Sequence, residues 1–527
     1  MFTLQHISYL HLNGDLLFDT LDLSLQMGEK VALVGDNGIG KSTLLKIIAG
    51  EVLPTSGQLK LSSKPYYVPQ IFGQYNNLTI AEALQIDQKL KGLKAILAGD
   101  GAEDNFTLLA DDWTIEERCA KAMVHWGLQG FDLDVKLSSL SGGEKTKVFL
   151  SGIAIHDPQL ILFDEPSNHL DRVGRDLLYS LIEQEAVAML VVSHDRMLLN
   201  LLGKTYELSN RGIEVYGGNY DFYVMQKSLT QDALLADLAT RQKELRKAKS
   251  VARETIQRQQ KLDAKGKNKQ EKAGASRIML NTLRNKAENS TARSTRVHTD
   301  KLAEIAGKIH QLNNTIADDS QIQFGFSDSV LHRGKVLFRA EAVNHRYGET
   351  KLWQNELNFQ VESGDRIVLG GINGAGKTTL IKIILGELTP AFGRTFHAVI
   401  NSVYIDQEYA LIQDGLTVYE QACFFNSKLL EHEIKIRLDR FLFTKDQWDK
   451  SCAALSGGEK MRLILCCLTI QEEAPALMVL DEPTNNLDLR SLSVLTAAVK
   501  AYRGTVLLVS HDEQFLQEID FTSTITL

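Results

Sequence analysis

The chain has 527 residues, of which 44% are hydrophobic and 24% charged, and its net charge is −8. That is ordinary globular composition with room for two or three domains, and no apolar run approaches the ~18 to 20 residues that a membrane-crossing helix needs. The opening MFTLQHISYLHLNG lacks a basic segment followed by an apolar block, which argues against a secretory signal. Cys119, Cys423, Cys452, Cys466 and Cys467 form no CxxC pair, so the expected setting is reducing and cytoplasmic, with Cys466 and Cys467 packed in a core.

In chain order, the first element with chemical content is KVALVGDNGIGKS at 30–42. An apolar strand leads into GxxxxGK[ST], and a helical run, TLLKIIAG, follows. In that context glycines let backbone N–H groups wrap a phosphate at a helix N-terminus. The lysine reaches the β- and γ-phosphates and the hydroxyl ligates Mg²⁺. Gly35, Asp36, Asn37, Gly38, Ile39, Gly40, Lys41, Ser42 and Thr43 are therefore expected to bind ATP. LSGGEK at 140–145 opens a helix whose Ser141, Gly142 and Gly143 offer N–H groups to an anion. The strand LILF ends in Asp164 and Glu165. An aspartate there suits the Mg²⁺ shell, and the next glutamate can orient and deprotonate an attacking water. His194 ends a further apolar strand in LVVSHD.

From 241 to 300 the composition changes to 17 Lys/Arg against 6 Asp/Glu, a net of +11 that leaves −19 for the rest of the chain. Leu302, Ile305, Ile309, Leu312 and Ile316 recur at heptad spacing, and Leu235, Leu238, Leu245 and Ala252 give a thinner stripe. The expected structure is two long antiparallel helices, with KGKNKQEKAGASR at 265–277 breaking the pattern at the exposed tip and upper shaft. Such a charge contrast points to a polyanionic partner. The other reading of the same charge is a solvated, disordered linker.

Beyond the linker the elements return in the same order. LGGINGAGKTTLIKIILGE at 369–387 repeats the phosphate loop, with Gly371, Ile372, Asn373, Gly374, Ala375, Gly376, Lys377, Thr378 and Thr379. LSGGEK returns at 455–460, Asp481–Glu482 follow LMVL, and LLVSHD ends on His511 and Asp512. Glutamate to histidine is 29 residues in both halves, which favours a γ-phosphate contact for both histidines. The duplication predicts an α/β fold of two P-loop NTPase domains joined by a long antiparallel helical hairpin. The expected boundaries are 1–225, 226–331 and 332–527.

LSGGEK has no evident task within a site that already has a phosphate loop, and there the chain resembles the ATP-binding cassette ATPases. The resemblance implies a head-to-tail sandwich in which Ser141, Gly142 and Gly143 serve the Lys377 site, while Ser456, Gly457 and Gly458 serve the Lys41 site. It implies catalytic Q-loop roles for Gln70 and Gln407, which join Ser42, Asp164, Thr378 and Asp481 around Mg²⁺. It also implies adenine stacking by Tyr347 and D-loop positions for Asp171 and Asp488. Only Tyr9 or His11 stands near the adenine position of the first cassette.

The basic linker, its entry YGGNYDFYVMQK at 216–227 and the 22 extra residues between Gln70 and Ser141, an arm at about 92–114, resemble the F subfamily of these proteins. That implies a cytoplasmic ATPase, monomeric with an intramolecular cassette dimer and no membrane subunit. It would bind the ribosome near the tRNA exit site and reach peptidyl-tRNA and the peptidyl transferase centre through its linker, as a translation factor or an antibiotic-resistance (ribosome protection) factor. Lys261, Lys265, Lys267, Lys269, Lys272 and Arg277 would then contact RNA. Two other readings stay open, the ATPase component of a membrane transporter and an ATPase acting on DNA, because charge alone does not separate RNA from DNA.

Overall fold

The computed structural model describes residues 1–11, 14–70, 72–272, 296–297, 299–312, 332, 334–348, 350–372, 374–485 and 487–527. They form two compact units, Met1–Asp221 with Ile322–Leu527, and Phe222–Gln321.

The first unit holds two copies of one layout. In the first copy a six-stranded sheet runs in the order Tyr66–Val68, Leu160–Asp164, Ala188–Val192, Lys30–Val34, Lys204–Ser209, Gly212–Tyr216, parallel except for its last pair. In the second copy the order is Ser402–Ile405, Leu477–Asp481, Thr505–Val509, Arg366–Gly370, Ser523–Thr526, all parallel. Every residue of Leu160–Asp164, Ala188–Val192, Leu477–Asp481 and Thr505–Val509 is buried. Parallel strands covered on both faces need unbroken apolar runs, which is why these segments read as LILF and LMVL rather than as alternating patterns.

Each copy adds a three-stranded antiparallel sheet: Leu16–Leu25, Phe2–Leu10 and Ser56–Leu61 in the first, Leu357–Glu362, Val336–Asn344 and Phe392–His397 in the second. The cysteines at 466 and 467 are fully buried on the helix Gly457–Ile470. The extra residues of the first copy fold as two helices, Asp87–Leu97 and Glu103–Leu109, packed so closely that a Cβ on Gly92 would lie 2.7 Å from the Asn105 carbonyl oxygen. No helix among the described residues is long and apolar enough to cross a membrane.

In the second unit the chain is helical to Lys272, part of a 53-residue helix that starts at Tyr220. Gly266 does not break it. A single glycine costs about 1 kcal/mol in a helix interior, too little to stop a helix of this length. Between 299 and 312 the residues that are not exposed are Leu302, Ile305, Ile309 and Leu312, the expected heptad; Ile316 lies outside the described residues. On the first limb the stripe differs from expectation. Leu235 is exposed, and the covered residues include Gln231, Leu234, Leu238, Arg241, Leu245, Ala248, Ala252 and Thr255, with Asp237 beside that row. The row's 3, 4, 3, 4 spacing is a full heptad seam. Glu304 feels the charge of Arg241, and these two residues stand 32 and 31 positions either side of Lys272. That near-equal spacing is what the expected antiparallel hairpin requires of two residues close enough to interact. The expected tip beyond Lys272, with Arg277, lies outside the described residues.

Candidate active sites

The strand order places the chemistry. Lys30–Val34, Ala188–Val192 and Leu160–Asp164 are adjacent and parallel, so the phosphate loop, His194 and the Asp164–Glu165 pair emerge side by side at their carboxyl ends. Open α/β sheets bind ligands at that edge. Arg366–Gly370, Thr505–Val509 and Leu477–Asp481 repeat the arrangement for Lys377, His511 and Asp481–Glu482.

Each phosphate loop closes on a left-handed glycine that begins a helix: Gly40 (φ 103°) before Lys41–Ala49 and Gly376 (φ 91°) before Lys377–Ile384. A Cβ there would press on Leu17 and Phe18 in one copy and on Leu352 and Trp353 in the other. In the first site the Lys41 ammonium donates to the carbonyls of Gly35 (2.7 Å) and Asp36 (3.0 Å). Ser42 Oγ donates to Asp164 Oδ1 and the Tyr67 hydroxyl to Asp164 Oδ2, both at 3.0 Å. In the second site Lys377 donates to the Gly371 carbonyl (2.9 Å) and lies 3.2 Å from His511 Nε2, while the Tyr404 hydroxyl donates to Asp481 Oδ2 at 3.0 Å. Gln407 and Thr378 line the second site. Gln70 is half-buried just past the strand Tyr66–Val68. Asn373 lies outside the described residues.

The glutamates share an unusual backbone. Glu165 (φ 51°) and Glu482 (φ 49°) are left-handed without being glycine, a conformation that costs of order 1 to 3 kcal/mol and clusters at functional sites. Their N–H groups donate to the Val192 and Val509 carbonyls, at 2.8 and 2.9 Å. Burial pushes the Glu165 carboxyl up to about 8, helped by the Asp164 charge beside it. Burial likewise raises Glu482, Asp164 and Asp481. His194 is pushed down to about 3 by burial and then by Lys41, and His511 down to about 4 by burial and then by Lys377. The 3.2 Å contacts His194–Glu165 and His511–Glu482 therefore join neutral imidazoles to carboxyls that resist ionisation, rather than forming ion pairs. Glu165 Oε1, Glu482 Oε2 and His194 Nδ1 are buried without a hydrogen bond.

Those orphaned polar atoms suit a water and a phosphate oxygen, the groups that hydrolysis of a nucleoside triphosphate would place there. No cluster of three or more His, Cys, Asp or Glu able to hold a metal occurs among the described residues. The hydroxyl and carboxylate at each loop fit a Mg²⁺ that completes its shell with phosphates and water.

The second site is a cavity of about 640 Å³ with walls from both copies. Lys377, Thr378, Gln407, Asp481, Glu482 and His511 come from one copy, and Ser141, Gly142, Gly143, His169 and Arg175 from the other. Ser141 caps the helix Gly142–His156 in a reciprocal box with Glu144, so the helix N-terminus is presented to the cavity. Gly143 is required there, because a Cβ would lie 2.7 Å from the His169 carbonyl oxygen. Ser456 caps Gly457–Ile470 in the same way, and a Cβ on Gly458 would lie 2.8 Å from Ser491 Oγ. On the Lys41 side the approach of the other copy is carried by Asp488, whose charge acts on Lys41 and His194, and by Arg490, 3.9 Å from Asp36.

Tyr347 lines the second cavity, its hydroxyl 3.2 Å from Thr379 Oγ1. It meets His345 edge-on at 5.1 Å, as His11 meets Tyr9 at 5.6 Å in the first copy. Tyr9 packs on the core, so the exposed His11 stands where the second copy has Tyr347. Sequence reasoning did not single out Tyr67 and Tyr404, which hold the two aspartates. Their signal was available, since each stands three residues before Gln70 or Gln407. His169 stands in SNHLD, where the F subfamily's motif has a histidine, whereas Arg175 carried no such signal.

The ABC transporter family matches residues 18–168 and 354–485, more than half of the chain. ABC transporter F family member 5 of Arabidopsis thaliana is 30% identical over 94% of this chain and 70% of its own length. The chain belongs to the F family of ATP-binding cassette proteins. ATP-binding protein Uup of Escherichia coli is 29% identical over 97% of this chain and 78% of its own. Among solved structures, the complex of archaeal ribosomal stalk protein aP1 and ribosome recycling factor aABCE1 shares the fold at a TM-score of 0.59 and 18% identity, covering 98% of this chain and 86% of that one. A ribosome-bound archaeal Pelota and ABCE1 assembly gives 0.56 at 19% identity, over 99% and 76%. This F-family chain binds ATP and is an ATPase, built from two cassettes and a helical insertion.

Proposed function

We propose that this F-family ATPase is a cytoplasmic monomer that works on the ribosome. Its linker reaches rRNA and peptidyl-tRNA near the exit site and the peptidyl transferase centre, and its role is that of a translation or ribosome-protection factor. Glu165 and Glu482 act as general bases, with Gln70 and Gln407 completing the two sites. Lys41 and Lys377 hold the terminal phosphates, and His194 and His511 contact them. Bound among Ser42 and Asp164, or Thr378 and Asp481, Mg²⁺ would neutralise phosphate charge.

The observation that supports the ribosomal reading most is the linker surface. The heptad seam covers Leu234, Leu238, Leu245 and Ala252 and leaves Lys243, Arg246, Lys247, Lys249, Arg253, Arg258, Lys261 and Lys265 exposed, beside exposed Leu235, Val251, Ile256 and Leu262. A cationic helix of that length between two ATP-driven cassettes suits RNA phosphates. Two of the solved structures that share the fold are, by name, a complex of a ribosome recycling factor and a ribosome-bound assembly.

Changing Lys265, Lys267, Lys269 and Lys272 to glutamine should weaken ribosome association and flatten its salt dependence. Each lost phosphate contact removes roughly 0.7 log units of slope on a single strand. The measurement is co-sedimentation over a salt series, with Glu165→Gln and Glu482→Gln in both proteins to hold ATP. Equal affinity and slope would mean that this stretch does not touch RNA.

A further inference from the structure

The helix Arg172–Gln184 follows Asp171 and carries Arg175. The matching position four residues after Asp488 is Leu492, which is buried in the core of the second cassette. Arg175 is itself largely covered, its side chain 14% exposed. Its Nε donates to the Leu170 carbonyl at 3.3 Å, and Nη1 lies 3.8 Å from Asp195 Oδ2. Tyr179 donates to the same carboxylate oxygen at 2.6 Å, while Asp195 Oδ1 accepts from Met197 N and Leu198 N. The first cassette thus builds a fixed seat for this guanidinium.

The seat aims it at the other cassette's site. Arg175 lines the cavity with Lys377, Glu482, Asn485 and His511. Its charge acts on two of them: burial raises Glu482 against the pull of Lys377 and then Arg175, and burial, Lys377 and then Arg175 depress His511. The guanidinium sits in a largely dehydrated place, held by a carbonyl and one carboxylate at 3.8 Å with the Asp512 charge also acting on it, and its Nη groups keep donors that an anion in the cavity would satisfy. A phosphate does so with the geometry that a planar fork of N–H donors matches.

We propose that Arg175 acts in trans on the nucleotide of the Lys377 site, donating its Nη N–H groups to the terminal phosphate. Leu492 offers nothing comparable to the Lys41 site, so the two sites are chemically unequal at this position. Because Asp195 directly follows His194, the same guanidinium also ties occupancy of the Lys377 site to the histidine loop of the Lys41 site. The proposal rests on the assignment of the Lys377 cavity as an ATP site.

The test uses the full chain carrying Lys41→Ala and Glu482→Gln, in which the Lys377 site is left to hold ATP. Calorimetric titrations with MgATP and MgADP should show that Arg175→Leu weakens ATP by about 10-fold or more and leaves ADP within about twofold. Arg175→Gln, close in length but uncharged, should give the same selective loss, and Arg175→Lys should recover part of it. Arg172→Ala is the control: Arg172 pairs with Glu513 across the cassettes at 2.7 Å but does not line the cavity, and both affinities should hold. Equal weakening of ATP and ADP by the leucine and glutamine variants, or no weakening, overturns the proposal. If the parent chain binds no ATP, the site assignment is wrong and this inference goes with it.

Discussion

Replacing Glu165 and Glu482 together with glutamine should lower ATP turnover by about 10²- to 10⁴-fold, the usual cost of removing a general base, while MgATP stays bound. Both glutamates occupy the same left-handed backbone, anchored by an N–H bond to the end of the neighbouring strand. Each has a buried carboxylate oxygen without a hydrogen bond, beside the phosphate-loop lysine and the histidine. Glutamine keeps that shape and can fill the same space, but it cannot accept a proton from water. Phosphate release in a single turnover and retention of labelled ATP separate chemistry from binding. Release near the unsubstituted rate would remove both glutamates from the role of base.

The same double variant carries a pH signature. The Glu165 carboxyl stands at about 8 in the folded chain, against ~4.3 when unfolded, and burial moves Glu482 the same way. The folded state therefore holds more protons than the unfolded one. The associated stability is fully present below the unfolded value and is lost as pH rises through the folded one. The histidines work in the opposite sense. His194 and His511 stand at about 3 and about 4, so their contribution is present above ~6.5 and is lost as pH falls through those values. Glutamine removes the first effect and keeps the second. The melting temperature of the nucleotide-free double variant should thus exceed that of the unsubstituted chain by a margin that widens from about pH 5.5 to about pH 8. A constant margin would show that the carboxyls ionise as freely in the fold as in water.

What could be read in advance follows from how local each signal is. A phosphate loop is one strand, one turn and one helix, so its residues stand together in sequence as they do in space. Asp164–Glu165 and His194 end strands adjacent in the sheet, and the repeat of their spacing in the second copy exposed them. Arg175 is the opposite case. It acts across the cassette boundary, it has no counterpart in the repeat, and an arginine on a helix reads as surface until the partner wall is known. The first linker limb failed for another reason. Leu234 and Leu235 are neighbours, and the register that buries Leu234 passes through Gln231, Arg241 and Thr255, polar residues that conceal the heptad from a hydrophobicity pattern. Covered arginines of this kind lay their apolar stems along the seam and keep the charged head at its edge.

The cassette boundary supplies the second large effect. Ser141→Arg should reduce hydrolysis at the Lys377 site by about 10²-fold or more, comparable with losing one charge-stabilising donor, although Ser141 belongs to the first cassette. In the folded chain Ser141 accepts from Glu144 N and in turn donates to Glu144 Oε2 at 2.7 Å. The helix start it caps faces Lys377, Thr378 and Glu482 across the cavity. An arginine there removes the cap, a loss of about 1 kcal/mol in helix stability that two cassettes can absorb. It also fills the space between the helix N-terminus and the phosphate loop, which two N–H-bearing glycines leave open. With Lys41→Ala as background only the Lys377 site turns over, and Ser141→Arg should abolish most of the remaining phosphate release. Ser456→Arg in that background should cost far less, because the head-to-tail pairing that the family resemblance implies assigns its helix to the Lys41 site. If Ser456→Arg proves the damaging change and Ser141→Arg the mild one, each signature helix serves its own cassette and the cavity drawn from both copies does not hold the reacting nucleotide.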